Sequence, residues 1–278
     1  MSKEYGEVKE IATLEDKAIN ESSGISASRK NAGLFWTHND SGGGAFIYAL
    51  DTNGKKRGVW RVAGAENVDW EDMAIFTQNN ESYLYIGDIG DNDRERNSII
   101  VYRFVEPNIK NEDSSSTKSN PLQTENAEAF RLEYPDGKHN CETLLVHPTT
   151  GDIYLVTKTS KGTAGVYKIS NPSASSINKL VKVSDLSVPG MLKGFLTGGD
   201  ISPDGRRVIL CDYFAAFEFV LLANNAKFDD IWKVKPLAVN IGQRQQGEAV
   251  CYAPDGKAIY ATSEETPTPL FEVRRITR

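Results

Sequence analysis

The chain has 278 residues, a net charge of −6 and 39% hydrophobic residues. This acidic balance argues against nucleic acid as the main partner, because phosphate binding requires clustered Lys and Arg. The longest apolar runs are shorter than the roughly 18 residues of a membrane-spanning helix, so we expect no membrane span. The opening MSKEYGEVKE lacks the apolar core of a secretory signal, and a cytoplasmic protein and an exported mature protein are both compatible with it.

Similar short segments recur about every 50 residues, a spacing typical of repeat architectures. They are ESSGISAS (21–28), EDMAIFTQ (71–78), ETLLVHPTTG (142–151), TGGDISPDG (197–205) and EAVCYAPDG (248–256). One interval is longer and contains the polar, Ser- and Asn-rich stretch 108–128. We interpret that stretch as a flexible loop inserted into an otherwise regular unit.

Each repeat continues with further runs that are rich in Val, Ile, Tyr and Phe and are separated by turn residues, as strands are. Second runs occupy 34–40, 83–92, 152–160, 207–216 and 258–265. Third runs occupy 46–51, 99–107, 164–170, 216–223 and 270–276. Weaker fourth runs occupy 59–64, 129–137, 179–186 and 234–241.

Four strands per unit and five units predict an all-β fold, a five-bladed β-propeller with four-stranded antiparallel blades in one domain, residues 1–278. A six-bladed ring with one degenerate blade is the alternative. The fifth repeat ends before its fourth strand, whereas EVKEIATL (7–14) precedes the first inner strand. We therefore expect the N-terminal strand to close the ring and to remove a free sheet edge.

The three cysteines, Cys141, Cys211 and Cys251, lie in apolar strand-like runs, and no C-x-x-C motif occurs. This pattern predicts buried free thiols, with a Cys211–Cys251 bridge as the alternative.

The start of each inner strand and the end of the next strand should meet at one mouth of the central channel. The inner strands begin with Glu21, Glu71, Glu142, Thr197 and Glu248. The second strands and the entering loops add His38, Asn39, Asp40, Asp69, Asp88, His139, Lys158, Tyr213, Arg244 and Glu264. The segment NVDWEDMAI (67–75) is then polar where it rims the mouth and apolar where it enters the core, with Trp70 packed between blades.

Glutamates that share one structural position repel one another unless a cation, a proton or a basic group neutralises them. Calcium accepts six to eight oxygen ligands in loose geometry. We predict a Ca²⁺ site at the mouth, with the ligands Glu21, Glu71, Asp88, Glu142 and Glu248. Zinc fits poorly, because the three histidines are scattered along the chain. The structural alternative is that each glutamate accepts hydrogen bonds from backbone amides of the adjacent blade.

The segments ESSGI, WTHNDSG, NVDWEDMA, YIGDIGDN and TGGDISPDGRRV together resemble a largely uncharacterised family of bacterial propeller proteins, often exported. More remotely, the pattern is similar to phytase-like and lactonase-like propellers. That resemblance implies calcium at the channel mouth, where it organises and polarises a phosphate ester or a lactone. Only the general arrangement carries over, because Thr197 interrupts the glutamates here and Lys158 adds a positive charge.

The leading hypothesis is a calcium-dependent hydrolase of phosphate esters or lactones. Its candidate catalytic residues are a general base, which is Glu264, Asp69 or His38, and Lys158. Lys158 would hold an anionic group of the substrate together with Arg244. The other candidate substrate-binding residues are Asn39, Asp40, His139 and Tyr213.

The alternative is a non-catalytic module that binds a small ligand, a glycan or a protein. A metal-free pair of carboxylates acting on a sugar is a third possibility. We expect a small anionic molecule or a glycan as the ligand, and a monomeric protein.

Overall fold

Five small antiparallel sheets form the five blades of a propeller in a computed structural model, which describes residues 4–160, 162–187, 195–223, 226–264 and 266–276. The first blade contains β2 (Ser22–Ala27), β3 (Leu34–Asn39), β4 (Phe46–Asp51) and β5 (Lys56–Arg61). The second contains β6 (Trp70–Gln78), β7 (Glu81–Asp88), β8 (Ile99–Val105) and β10 (Glu128–Glu133). The third contains β11 (Cys141–Val146), β12 (Ile153–Thr157), β13 (Ala164–Ile169) and β15 (Val181–Leu186).

The last two blades follow the same plan. The fourth contains β16 (Gly198–Ile201), β17 (Arg207–Cys211), β18 (Ala216–Val220) and β19 (Leu237–Val239). The fifth contains β20 (Gly247–Tyr252), β21 (Ala258–Ser263), β22 (Pro269–Arg275) and, as its outer strand, β1 (Tyr5–Thr13). The five-bladed ring and its closure by the N-terminal strand are confirmed.

The inner strands β2, β6, β11, β16 and β20 contact one another in sequence, and β20 returns to β2 to complete the ring. The apolar core is divided into five clusters, each between two adjacent blades. Strands therefore bury both faces, which explains why the inner ones consist mostly of small or apolar residues instead of alternating apolar and polar ones. Trp70 is fully buried in the cluster between the first and second blades, as predicted.

The insertion 108–128 lies against the outer edge of the first blade. Its 3₁₀ helix η1 (Asn111–Ser115) contacts β5, and β9 (Leu122–Gln123) pairs with β5 in parallel. The Ser116 hydroxyl also accepts a hydrogen bond from the Val59 amide, 2.8 Å away. The insertion thereby covers an edge strand that would otherwise offer unpaired backbone groups.

The remaining elements are peripheral. Strand β14 (Ile177–Lys179) pairs in parallel with β10, and the 3₁₀ helix η2 (Phe228–Lys233) packs beside β15 and β18. The three cysteines are free and buried, as expected. Within the described residues, no helix is long and apolar enough to cross a membrane.

Candidate functional site: the acidic channel mouth

All five blades bring the start of the inner strand next to the end of the second strand. The pairs are Ser22 with Asn39, Trp70 with Asp88, Cys141 with Thr157, Gly198 with Cys211 and Gly247 with Ser263. Because the strands are antiparallel and the blades radiate from one axis, these ends gather at one mouth of the channel. The strand ends on which the candidate residues were predicted therefore lie at the same end of the ring.

Bulges in the inner strands change the direction of the glutamate side chains. The register shifts between Trp70 and Asp72, between Cys141 and Thr143, and between Gly247 and Val250. Glu71, Glu142 and Glu248 lie within these three shifts. A bulge changes the direction of a side chain and is common next to functional sites. The inner strand of the fourth blade continues without a shift from Gly198 to Ile201 and contains no glutamate. The first blade also has a shift, between Ser22 and Gly24, but it carries Ser23 there.

The strand register of the first blade differs from the alignment expected from the sequence. Ser22 pairs with Asn39 as Trp70 pairs with Asp88, so Ser23 is the equivalent of Glu71. Glu21 lies two residues earlier and forms an isolated bridge with Glu264 of the fifth blade. Glu21 is thus at the mouth, but at a different position from the bulge glutamates.

Three carboxylates, which we call the acidic trio, converge between the first two blades. Asp40 follows β3, and Asp69 and Glu71 flank Trp70 at the start of β6. One oxygen from each of the three lies within 4.8 Å of the other two. Trp70 turns into the core and donates its indole N–H to the Glu66 carbonyl at 2.9 Å, which fixes the segment that carries the two acids.

Gly90, in the GDIGDN motif, has no side chain, and carboxylates of the trio occupy the space where one would lie. A Cβ atom at this residue would lie 2.2 Å from Glu71 Oε1 and 2.3 Å from Asp69 Oδ2. Any side chain would therefore displace both carboxylates. The glycine of this motif therefore allows the two acids to approach the loop.

Lys158 lies on the third-blade side of the mouth. Its ammonium donates to Glu142 Oε2 at 2.5 Å and to the Tyr213 hydroxyl at 2.8 Å. It also lies 4.9 Å from the centre of the Tyr213 ring. Burial opposes the charged form, but the nearby Glu142 carboxylate raises the pKa of Lys158 above its usual value. Glu142 is held on its other side by Asn140 Nδ2, 3.2 Å from Oε1.

The fifth blade contributes a carboxylate pair held by one amide. Gln246 Nε2 donates to Glu264 Oε2 and, at 3.4 Å, to Glu248 Oε1. Sequence reasoning missed Gln246, because an amide just before a strand carries no distinctive signal.

Four carboxylates of the mouth have a raised pKa. Burial, followed by the neighbouring Asp40 charge, raises the pKa of Asp69 to about 6 and that of Glu264 to about 7. Burial and the Glu142 charge raise the pKa of Glu71 and Glu248 well above the usual range. A cation bound at the mouth would relieve both the desolvation and the repulsion.

Asp88, a predicted ligand, supports the loop that carries Asp69. It is fully buried and forms an ion pair with Arg96 at 2.7 Å. Its oxygens also accept hydrogen bonds from the Val68 amide at 3.3 Å and the Asp69 amide at 3.2 Å. These contacts occupy both oxygens, and Asp88 does not belong to the trio.

The structure places His38 and Asn39 in the interior. His38 is fully buried and packs edge-on against Trp70, and burial lowers its pKa to about 4. Its imidazole is therefore neutral at pH 7 and enclosed by protein. Asn39 accepts a hydrogen bond from the Glu21 amide at 3.3 Å and donates to the Ala18 carbonyl at 2.7 Å. Asn39 thus anchors the segment before β2.

His139 and Arg244 have local partners. His139 Nε2 lies 3.0 Å from both Asp136 Oδ1 and the Tyr167 hydroxyl. The buried Arg244 guanidinium donates to the carbonyls of Asp212 at 3.2 Å and Thr262 at 3.4 Å. Neither residue belongs to the acidic trio.

Two aspartates that sequence reasoning overlooked connect the inner strands. The buried Asp72 carboxylate accepts hydrogen bonds from the amides of Met73, Leu144 and Gly199 at 2.8, 3.0 and 3.3 Å. Asp200 accepts one from the Tyr252 amide at 2.8 Å. These aspartates therefore accept the hydrogen bonds from backbone amides of adjacent blades that were considered for the glutamates. Asp72 directly follows Glu71 and Asp200 follows two glycines, so neither stands out in the sequence.

Comparisons with known proteins add little to this geometry. No protein-family model matches the chain, and no curated protein matches it. Among solved structures, hydrazine synthase from Kuenenia stuttgartiensis is similar, with a TM-score of 0.45 and 14% identity over 92% of this chain and 72% of that one. A likeness this weak carries no argument about function. The fold assignment rests on the chain's own sheet topology, which is that of a five-bladed β-propeller.

Proposed function

We propose that the propeller binds Ca²⁺ at the acidic trio and hydrolyses a small anionic substrate, a phosphate ester or a lactone, at the channel mouth. The observation that carries the proposal is the convergence of three carboxylate oxygens within 4.8 Å. Calcium–oxygen distances of about 2.4 Å allow ligands on opposite sides of one ion to lie roughly 5 Å apart. An all-oxygen donor set also suits a hard cation. The motif resemblance to phytase-like and lactonase-like propellers supports the same proposal.

When bound, calcium would act as a Lewis acid toward a carbonyl or phosphoryl oxygen. The chain's own groups have separate tasks. Lys158 and Tyr213, joined at 2.8 Å, hold the anionic group of the substrate on the third- and fourth-blade side. Glu264 serves as the general base, because a pKa of about 7 lets it accept a proton from water near neutral pH.

Calorimetric titration of chelator-stripped protein with calcium tests the site. We expect one ion to bind to the wild type, and Glu71→Gln to weaken binding at least tenfold, because it removes one charged ligand. Glu66→Gln is the matched control, since Glu66 is an exposed acid in the same loop. Hydrolysis of p-nitrophenyl phosphate and of a γ-lactone is then measured with and without calcium. Equal calcium affinity in the wild type and Glu71→Gln would refute the trio as the site.

The raised pKa values also predict how stability depends on pH. A carboxyl group whose pKa is higher in the folded state binds protons preferentially there, so folding stability falls as pH rises. For Asp69 and Glu264 this loss extends from about pH 4 to about pH 7. The lowered pKa of buried His38 has the opposite effect between about pH 4 and 6.5. We therefore expect the melting temperature in EDTA to fall between pH 6.5 and 7.5, and calcium to restore it at pH 7.5. A melting temperature in EDTA that is constant or rises over this range would contradict the prediction.

A second candidate function is ligand binding without turnover. Val68 and Phe214, at the rim of the mouth, are 58% and 61% exposed. Exposed apolar side chains around a polar site are typical of recognition surfaces. Calcium binding without hydrolysis of either test substrate would favour this function.

A further inference from the structure

An open groove lies beside the mouth, between the loops of the fourth and fifth blades. It has a volume of about 600 Å³ and is lined by Phe214, Asn240, Gly242, Gln243, Arg244 and Gln245. A cavity of about 240 Å³ shares Gln243, Arg244 and Gln245 with it and extends to Glu264. The groove is therefore adjacent to the carboxylates of the mouth. Its volume falls within the range of small-ligand sites.

Phe214 is held in an exposed position by an ordered turn. Asp212 Oδ1 accepts hydrogen bonds from the amides of Phe214 and Ala215 at 2.9 and 2.7 Å. The Tyr213 carbonyl accepts another from the Gly247 amide of the fifth blade at 3.1 Å. The Phe214 and Tyr213 ring centres are 6.3 Å apart. The ring is thus preorganised toward solvent, which lowers the entropic cost of stacking a ligand on it.

The remaining lining is rich in primary amides. Asn240, Gln243 and Gln245 are exposed. The Asn240 oxygen accepts a hydrogen bond from the Gly242 amide at 3.2 Å, and the two glutamine amides offer both donors and an acceptor. The one charged residue, Arg244, directs its guanidinium to the backbone carbonyls of Asp212 and Thr262. Neutral amides beside an aromatic ring match the chemistry of a sugar, whose C–H face stacks on the ring while its hydroxyl groups pair with the amides.

We propose that this groove binds a sugar ring against Phe214. This inference rests on the proposed function and identifies the substrate class as a sugar phosphate or a related sugar ester. The sugar lies in the groove, and the anionic group lies at the mouth near Lys158.

The test compares glucose 1-phosphate with inorganic phosphate by calorimetry at saturating calcium, with Glu264→Gln present in every protein so that the ester is not consumed during the titration. We expect the protein with the native Phe214 to bind the sugar phosphate more tightly. Phe214→Ala should weaken that binding about tenfold, the scale of one lost aromatic contact, and should leave calcium and inorganic phosphate binding unchanged. Phe214→Trp should retain the affinity. Leu222→Ala is the control, since Leu222 is 86% exposed and does not line the groove.

Titrating methyl glucoside, galactoside and mannoside in EDTA separates the groove from the calcium site. Glycoside binding that is lost in Phe214→Ala supports the groove, even if calcium does not bind. Absence of calcium binding would refute only the proposed function. Calcium binding together with equal affinity for sugar phosphate and inorganic phosphate, and no glycoside binding, would overturn the groove proposal and leave the calcium site intact.

Discussion

Gly90→Ala is expected to lower the calcium affinity of the mouth by about a hundredfold, the upper range for changes next to a metal ligand. The new Cβ atom would lie 2.2 Å from Glu71 Oε1 and 2.3 Å from Asp69 Oδ2, so both carboxylates must move. The φ angle of Gly90 is not positive, so alanine can adopt the same backbone conformation. The fold should therefore persist while the site is lost.

Calorimetry and thermal melting of the same samples distinguish these two effects. Gly6→Ala is the matched control, because a Cβ atom there would lie 3.6 Å from the Arg274 carbonyl oxygen, an ordinary contact. Unchanged calcium affinity in a folded Gly90→Ala protein would show that the ion binds elsewhere. Loss of the fold itself would show that the loop contributes to stability more than its contacts indicate.

Asp72→Ala is expected to destabilise the protein by about 4 kcal/mol, because it leaves the backbone amides of Leu144 and Gly199 buried without acceptors. These amides belong to β11 and β16, so the substitution removes contacts among three inner strands at once. For a chain of this size the melting temperature should fall by roughly 10 °C.

Asp72→Asn tests whether the acceptor or the charge matters. Its side-chain oxygen can still accept from the amides, and burial already raises the pKa of Asp72 well above the usual range. We expect Asn to retain at least half of the lost stability. Asp93→Ala, at an exposed residue, should change the melting temperature by less than about 2 °C. An Asp72→Ala protein as stable as the wild type would show that the inter-blade contact contributes nothing.

The blades and the mouth could be predicted because both depend on local patterns. Strand runs and turn residues recur at a fixed period, and antiparallel pairing then brings Glu71, Glu142 and Glu248 to one face. The directions of individual side chains could not be predicted, because bulges alter the alternation. Strand ends have the same effect, because Asp40 lies beyond the last residue of β3 and joins the trio, whereas His38, two residues earlier, is buried. The misaligned Glu21 has the same origin, since only the observed register identifies Ser23 as the equivalent of Glu71.

The pairing of β1 with β22 has a kinetic consequence. It joins Tyr5 to Arg275 and Thr13 to Pro269, residues almost the whole chain apart. The entropy lost on closing so long a loop slows this step, and folds dominated by distant contacts form slowly. The other four blades can assemble from neighbouring segments, so the fifth should complete last. Until then β22 exposes an open strand edge, and intermolecular strand pairing competes with ring closure during folding.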